Sequence, residues 1–354
     1  MNNSTFSKDS LPHWLRFFIV LILSLALGSC GHTGDLPPLG DAADAVSVYF
    51  TGGSRDYKQV ITAVTDAIYT AQSSIDIAMY NLNLREVEQA LRDAHKRGVN
   101  VRLVVESDAL DGWVPQSLKS SGIPVVSDGR ESLMHNKFMV IDKRQVWTGS
   151  LNLTENGVIE DRNNLVRVDS PSIAEYYTQE FEEMFTAKEF GNASPQGSPE
   201  DGRFKAGDIP VEVYFSPDDG VMDILLEEVA SAREEIVFFG YSFTSDPLAQ
   251  ALVEKARQGV RVMGVFDSDM VIANTGSDYE WLLGAGLPVC RDGEAGLMHN
   301  KVIIIDQQVV ITGSYNFTSS AERFNDENVL ILHDPHLAEL YLAEFTDINA
   351  HCLP

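Results

Sequence analysis

The chain has 354 residues, 44% of them apolar and 22% charged, proportions that exclude a disordered or fibrous chain and allow a substantial core. Acidic residues outnumber basic ones 52 to 26, for a formal charge of −26. Such a chain repels polyanions at long range and offers no basic footprint for nucleic acid.

The amino-terminal stretch is of another kind. Lys8 and Arg16 precede an apolar run from Phe17 to Leu23 that continues through Ser24 to Leu27. Eleven residues are too few to span a bilayer comfortably but suit the apolar region of a secretory signal. The run ends in Leu27-Gly28-Ser29-Cys30, which resembles the lipobox of bacterial lipoproteins. That resemblance implies cleavage before Cys30, acylation of Cys30, and a lipid-anchored place in the bacterial cell envelope. Residues 1–30 therefore read as a lipoprotein-type signal and 31–45 as a tether. Loss of the leader takes the formal charge to −27, since it carries Lys8, Arg16 and Asp9. Cys290 and Cys352 remain, either as a disulfide in an oxidising compartment or as two buried thiols.

From residue 46 onward the chain repeats itself. A strand-like Val48-Tyr49-Phe50, a helix-like segment and an apolar strand ending at Tyr80 open the first copy. Gln89-Ala90-Leu91 lies on the next helix, which Gly98 ends as a C-cap glycine does, and an alternating strand from Val99 to Val105 follows. The second copy repeats the order with Val213-Tyr214-Phe215, Tyr241, Gln250-Ala251-Leu252, Gly259 and Val260 to Phe266. Further on, Gly122-Ile123-Pro124 and Asp128-Gly129 parallel Gly286-Leu287-Pro288 and Asp292-Gly293. The spacing grows from 161 to 164, so the second copy gained three residues around 270–282. Residues 191–210, rich in Gly, Pro and Ser, read as a linker. The expected architecture is α/β: two similar sandwich halves, 46–190 and 211–354, each a mixed sheet flanked by helices. A pseudo-twofold axis would bring equivalent positions together at their interface.

The strongest repeat is His135-x-Lys137-x4-Asp142-x6-Gly149-Ser150-x-Asn152, matched by His299-x-Lys301-x4-Asp306-x6-Gly313-Ser314-x-Asn316. A lone histidine or a lone Gly-Ser turn carries little meaning, but joint repetition in register does. His135 and Lys137 stand two apart on a strand and so share a face. Gly149-Ser150 and Gly313-Ser314 close turns where backbone and hydroxyl donors can approach a phosphate. Both motifs resemble those of the phospholipase D superfamily, over roughly residues 46–350. The second half is also similar to that family's small bacterial endonucleases, from Phe215-Ser216-Pro217 to Asn325-Asp326-Glu327-Asn328.

The resemblance implies one phosphodiester-cleaving site with no cofactor and no metal. One histidine, by resemblance His135, attacks phosphorus and the other, His299, protonates the leaving oxygen. Lys137 and Lys301 neutralise the phosphate, Ser150, Asn152, Ser314 and Asn316 bind it, and Asp142 and Asp306 support the motif. Glu327, 28 residues past His299, matches the family's histidine-bonding carboxylate; the same offset past His135 lands on Asn163. Glu106-x-Asp108 and Asp267-x-Asp269 could chelate a cation, although loop anchoring is the commoner use of such acids. Trp113 and Trp281 are not equivalent in the repeat. The expected partner is a phospholipid at a membrane surface, with nucleic acid as the alternative substrate and an inactive binding module as the lesser one. A monomer is expected, because both half-sites lie in one chain.

Overall fold

The computed structural model describes residues 45–194 and 202–353. The predicted leader, Cys30 and the tether up to residue 44 lie outside them. The first half runs β1 (Val46–Phe50), α1 (Tyr57–Thr70), β2 (Ser74–Met79), α2 (Arg85–Lys96), β3 (Asn100–Val105), α3 (Trp113–Ser120), β4 (Val125–Ser127), β5 (Lys137–Ile141), β6 (Gln145–Gly149), α4 (Glu155–Ile159), β7 (Asn164–Asp169) and α5 (Pro171–Glu182). The second runs β8 (Arg203–Ala206), β9 (Ile209–Ser216), α6 (Val221–Ser231), β10 (Glu235–Gly240), α7 (Asp246–Arg257), β11 (Arg261–Phe266), α8 (Ser268–Ala273), α9 (Tyr279–Gly284), β12 (Val289–Arg291), β13 (Lys301–Ile305), β14 (Val309–Gly313), α10 (Ser319–Arg323), β15 (Glu327–His333) and α11 (Pro335–Asn349).

Local chemistry starts and stops these elements. Asp56 accepts from Lys58 N–H to cap α1, which buries Val60, Val64 and Ile68 at a four-residue spacing. Each such side chain contributes about 1.5–3 kcal/mol on burial, so Val64→Asp would strip the helix of its footing. Gly98 and Gly259, at φ +92° and +95°, end α2 and α7 as expected. Asp334 caps α11 at Leu337 N–H, 2.8 Å away, and Pro335 fills its first turn.

The sheets have one plan. Their orders are β1-β7-β6-β5-β2-β3-β4 and β12-β11-β10-β13-β14-β15-β9-β8. Read in opposite directions these match strand for strand, with β8 added at the edge of the second. Strand alternation divides the core. Phe138 and Val140 of β5 and Val302 and Ile304 of β13 face one shared central cluster, which also takes Tyr177 of α5 and Tyr341 of α11. Met139 and Ile141 point instead to the outer helices of the first half, Ile303 and Ile305 to those of the second. Helices α5 and α11 thus lie between the sheets and make the halves one unit.

Two features depart from the sequence reading. The stretch read as a linker contains β8, paired antiparallel to β9 through the hairpin turn Gly207-Asp208, with Gly207 at φ +59°. Burial of Ala206 at the inner end holds that strand to the sheet. Where the second copy gained three residues, the short turn Ser107–Ala109 of the first half is replaced by the longer α8, and α9 stands where α3 does. Cys290 and Cys352 form a disulfide that ties the carboxy-terminal residues to β12. Among the described residues no helix is long and apolar enough to cross a membrane.

Candidate active site

Each histidine is held in place by the opposite half. His135 N–H donates to Asp326 C=O at 3.0 Å, and His299 N–H donates to Arg162 C=O at 2.9 Å. The preceding amides, Met134 and Met298, donate to Glu106 at 2.6 Å and to Asp267 at 2.9 Å. Glu106 and Asp267 are therefore loop anchors behind the histidines, and their oxygens are already engaged. His135 and His299 are 6% and 7% exposed, enough burial to make every polar partner count.

The side-chain pairings also cross the interface. His135 Nδ1–H donates to Glu327 Oε2 at 2.7 Å. His299 Nδ1 lies 2.8 Å from Asn163 Oδ1. The carboxylate placed by its offset from His299 in sequence serves the other histidine in space, because the backbone at the start of β15 pairs with His135 through Asp326 C=O. With both Nδ1 atoms engaged, the two Nε2 atoms are left for substrate. Burial lowers the His135 pKa to about 4 against the pull of Glu327. Burial, then Lys301, Lys137 and His135, takes His299 well below the usual imidazole range. Burial opposes ionisation of Glu327, yet His135 and Lys137 outweigh it and hold its pKa below the ordinary value. The pair at neutral pH is thus a neutral imidazole donating to a carboxylate.

Lys137 Nζ donates to His135 C=O at 2.9 Å and Lys301 Nζ to His299 C=O at 2.6 Å. Both lysines are fully enclosed. Burial brings Lys137 down to about 7, with Glu327 opposing, and burial and Lys137 take Lys301 well below its ordinary value. Glu327 is the carboxylate that offsets these groups, acting on His135, Lys137 and Lys301.

Other predicted site residues are redistributed. Asp142 accepts the backbone N–H groups of Gln72, Ser73 and Ser74, and Asp306 those of Arg233, Glu234 and Glu235. They sit in left-handed turns beyond the far ends of β5 and β13, where they cap the starts of β2 and β10. They touch no reacting group. Ser150 and Ser314 do not point at a phosphate either; their buried hydroxyls donate to Asn163 Oδ1 at 2.9 Å and Glu327 Oε2 at 2.7 Å. Asn152 and Asn316 each have a buried Oδ1 with no partner. Trp113 and Trp281 are 46% and 42% exposed, and an Arg85 guanidinium covers the first.

Sequence reasoning left several contributors without a role. Tyr80 packs edge-on to His135, with ring centroids 4.9 Å apart, and under Lys137 Nζ at 5.1 Å. Tyr241 repeats this at 4.4 Å from His299 and 4.2 Å from Lys301. A buried amide lattice joins the halves: Asn328 Nδ2 donates to Asn136 Oδ1 at 2.9 Å, and Asn164 Nδ2 to Asn300 Oδ1 at 2.7 Å. Thr148 and Tyr177 donate to Asn328 Oδ1, as Thr312 and Tyr341 do to Asn164 Oδ1. The signal that could have found this lattice is the repeat itself, since all four residue pairs recur 164 residues apart.

A family profile described as "Cardiolipin synthase, PLD-like domain" matches residues 64–185 and again 225–348. A phospholipase D of Rickettsia bellii is 36% identical over 140 residues, covering 40% of this chain and 69% of that protein. The human mitochondrial cardiolipin hydrolase is 40% identical over 124 residues, 35% of this chain and 49% of that protein. Among solved structures, the phosphatidylserine synthase of Haemophilus influenzae superposes with a TM-score of 0.66 over 89% of this chain and 88% of its own, at 13% identity, a likeness of fold. With both halves matched by one profile and both motifs meeting at one interface, the chain belongs to the phospholipase D superfamily and carries two of its domains.

Proposed function

We propose that this chain is a phosphodiesterase of the phospholipase D type that cleaves the head-group phosphodiester of glycerophospholipids. Hydrolysis or transfer to an alcohol proceeds through a phosphohistidine. The observation that carries this reading is the crossed Nδ1 pairing of two buried histidines, each with the buried lysine of its own motif bonded to its carbonyl. The carboxylate on His135 favours it as nucleophile, because attack turns its imidazole into a cation that Glu327 stabilises at 2.7 Å. His299 then donates to the leaving oxygen, a general-acid contribution of about 10²–10⁴-fold. Each lysine contact to the phosphate contributes about 4 kcal/mol before desolvation, taking an effective dielectric near 20.

Lipid is favoured as substrate by the names of the relatives, a phospholipase D and a cardiolipin hydrolase. The charge of −26 speaks in the same direction, since phosphate-backbone affinity rests on Lys and Arg. Cys30, if acylated as its surroundings in the sequence imply, would hold the site at a membrane surface. Side-by-side turnover on phosphatidylcholine or phosphatidylethanolamine vesicles and on single-stranded DNA tests the proposal, with His135→Ala as control. Phosphatidic acid from the vesicles, absent with the variant, is the expected result. Rapid DNA cleavage with no lipid product would replace the lipid reading with a nuclease.

A further inference from the structure

The two half-sites are built alike but are unequal in charge. The chain enters β15 as Asn325-Asp326-Glu327-Asn328 and enters β7, the equivalent strand, as Asp161-Arg162-Asn163-Asn164. The carboxylate has moved by two residues. Glu327 gathers the His135 Nδ1–H, the Ser314 hydroxyl and Asn325 Nδ2. Asp161 instead accepts the Leu297 N–H at 3.1 Å, and an amide stands against His299.

The orientation of that amide is fixed by its surroundings. Gly157 C=O can only accept, so Asn163 Nδ2 faces it at 3.1 Å and Oδ1 faces Ser150 and His299. Oδ1 can only accept, so His299 carries a proton on Nδ1 and presents Nε2 to substrate. The charged and titratable neighbours of His299 are Lys301, Lys137 and His135, with the Tyr241 ring against it. The nearby carboxylates Asp161, Asp267 and Glu327 act on Lys301 and bond to other groups. None of them touches His299.

We propose that Asn163 is a positioning residue that withholds a carboxylate from His299, so that His299 gives up and regains its proton readily and release of the phosphohistidine stays fast. This rests on the two-histidine reading above. In the first step the Nε2 lone pair of His135 forms the P–N bond as the P–O bond to the head-group alcohol breaks. His299, taken to the imidazolium by a solvent proton when the phosphate anion enters, gives its Nε2 proton to that oxygen and keeps the one on Nδ1. In the second step water loses a proton to the now neutral His299 Nε2, and its oxygen forms the new P–O bond. The P–N electron pair returns to His135. A carboxylate on His299 would bind the Nε2 proton more tightly, slowing its transfer to the leaving oxygen, and at any pH below the raised value it would reload the imidazole from solvent and leave no base to activate water.

Asn163→Asp tests this with bis(4-nitrophenyl) phosphate, whose first leaving group departs without needing a proton. An opposite charge at hydrogen-bonding distance raises the pH at which His299 becomes a base by about one to three units. The acid limb of the kcat profile should therefore move up by that amount. At a pH below the displaced limb a burst of nitrophenolate equal to the enzyme should precede slow turnover, and an alkaline denaturing quench should leave the adduct on His135. Asp161→Asn/Asn163→Asp, which preserves net charge, should shift the limb equally, and Asp161→Asn alone should not. An unmoved limb in folded Asn163→Asp, or an equal shift from Asp161→Asn alone, overturns the inference. If Asn163→Asp does not fold, Glu327→Gln serves: it should slow the burst and leave the acid limb in place, and a displaced limb counts against us. Failure of the wild type to release nitrophenolate, or its release by His135→Ala, defeats the functional reading instead.

Discussion

Replacing Arg162 with methionine removes a guanidinium on which the contact between the halves depends. Its side chain is 3% exposed and donates to Glu294 Oε1 at 2.6 Å and Asp347 Oδ2 at 2.8 Å. Glu344 Oε1, wholly enclosed, lies 3.6 Å away and is otherwise balanced by Arg55. Methionine fills much of the stem volume but leaves these acids short of a partner. Breaking a buried ion pair on one side costs about 3–5 kcal/mol, and at about 2 °C per kcal/mol the melting midpoint should fall by about 6–10 °C. The deficit should depend on pH. Burial raises the Glu344 pKa to about 7 even with Arg55 and Arg162 opposing, against 4.5 for an ordinary glutamate. A folded-state value above the unfolded one means that the protonated form stabilises the fold. That stability is complete below about 4.5 and is lost as pH rises through about 7. Without Arg162 the folded value rises further, so the variant escapes part of its penalty by taking up a proton in acid. Urea unfolding of both proteins at pH 5.5 and 8 should show the smaller deficit at pH 5.5. A deficit below about 1 kcal/mol, the level of an exposed pair, or one equal at both pH values would refute the reasoning.

His135→Ala and His299→Ala should each lower turnover by several orders of magnitude, because nucleophile and acid act as one unit; single-turnover kinetics with either variant checks this. Glu180, Glu183 and Asp218 form a group whose oxygens lie within 4.8 Å of one another. Burial and repulsion from surrounding carboxylates raise all three, Glu183 to about 7 and Asp218 to about 8. Their raised values make wild-type stability fall as pH rises from about 4.5 through about 8, and Asp218→Asn should flatten that slope in thermal melts. Cys290→Ser/Cys352→Ser opens a loop of 62 residues and should cost about 2–4 kcal/mol in denaturant titrations while leaving kcat in place. Tyr80→Leu or Tyr241→Leu removes an aromatic face from a buried lysine, a contact of about 0.5–2 kcal/mol; initial-rate kinetics should show kcat/KM reduced by about 2- to 30-fold.

The repeat made the architecture legible. Two copies of one α/β pattern in a single chain require two similar sheets, and identical motifs in each require a meeting point. His135, Lys137, His299 and Lys301 could be named because a strand period of two and a register of 164 are properties of the chain itself. Strand β8 was hidden by composition: Gly, Pro and Ser dominate residues 191–210, and one edge hairpin among them carries little periodic signal. Asp142 and Asp306 belong to the same motif as the lysines, yet the length of β5 and β13 carries them to the opposite end of the sheet.

What the sequence could not decide was partnership. Linear offsets tie Glu327 to His299 and Asn163 to His135, whereas packing of the halves exchanges them, so that each motif is completed by the other copy. The serines likewise gained their task from burial, which left their hydroxyls beside Asn163 and Glu327 instead of in the open cleft. Cys290 and Cys352 could have been two thiols until the fold placed them side by side. Residue types and their periods are local quantities, fixed along the chain. Which half supplies the partner, and which polar group is already satisfied, depends on distances across an interface that exists only once both halves have closed on their shared core.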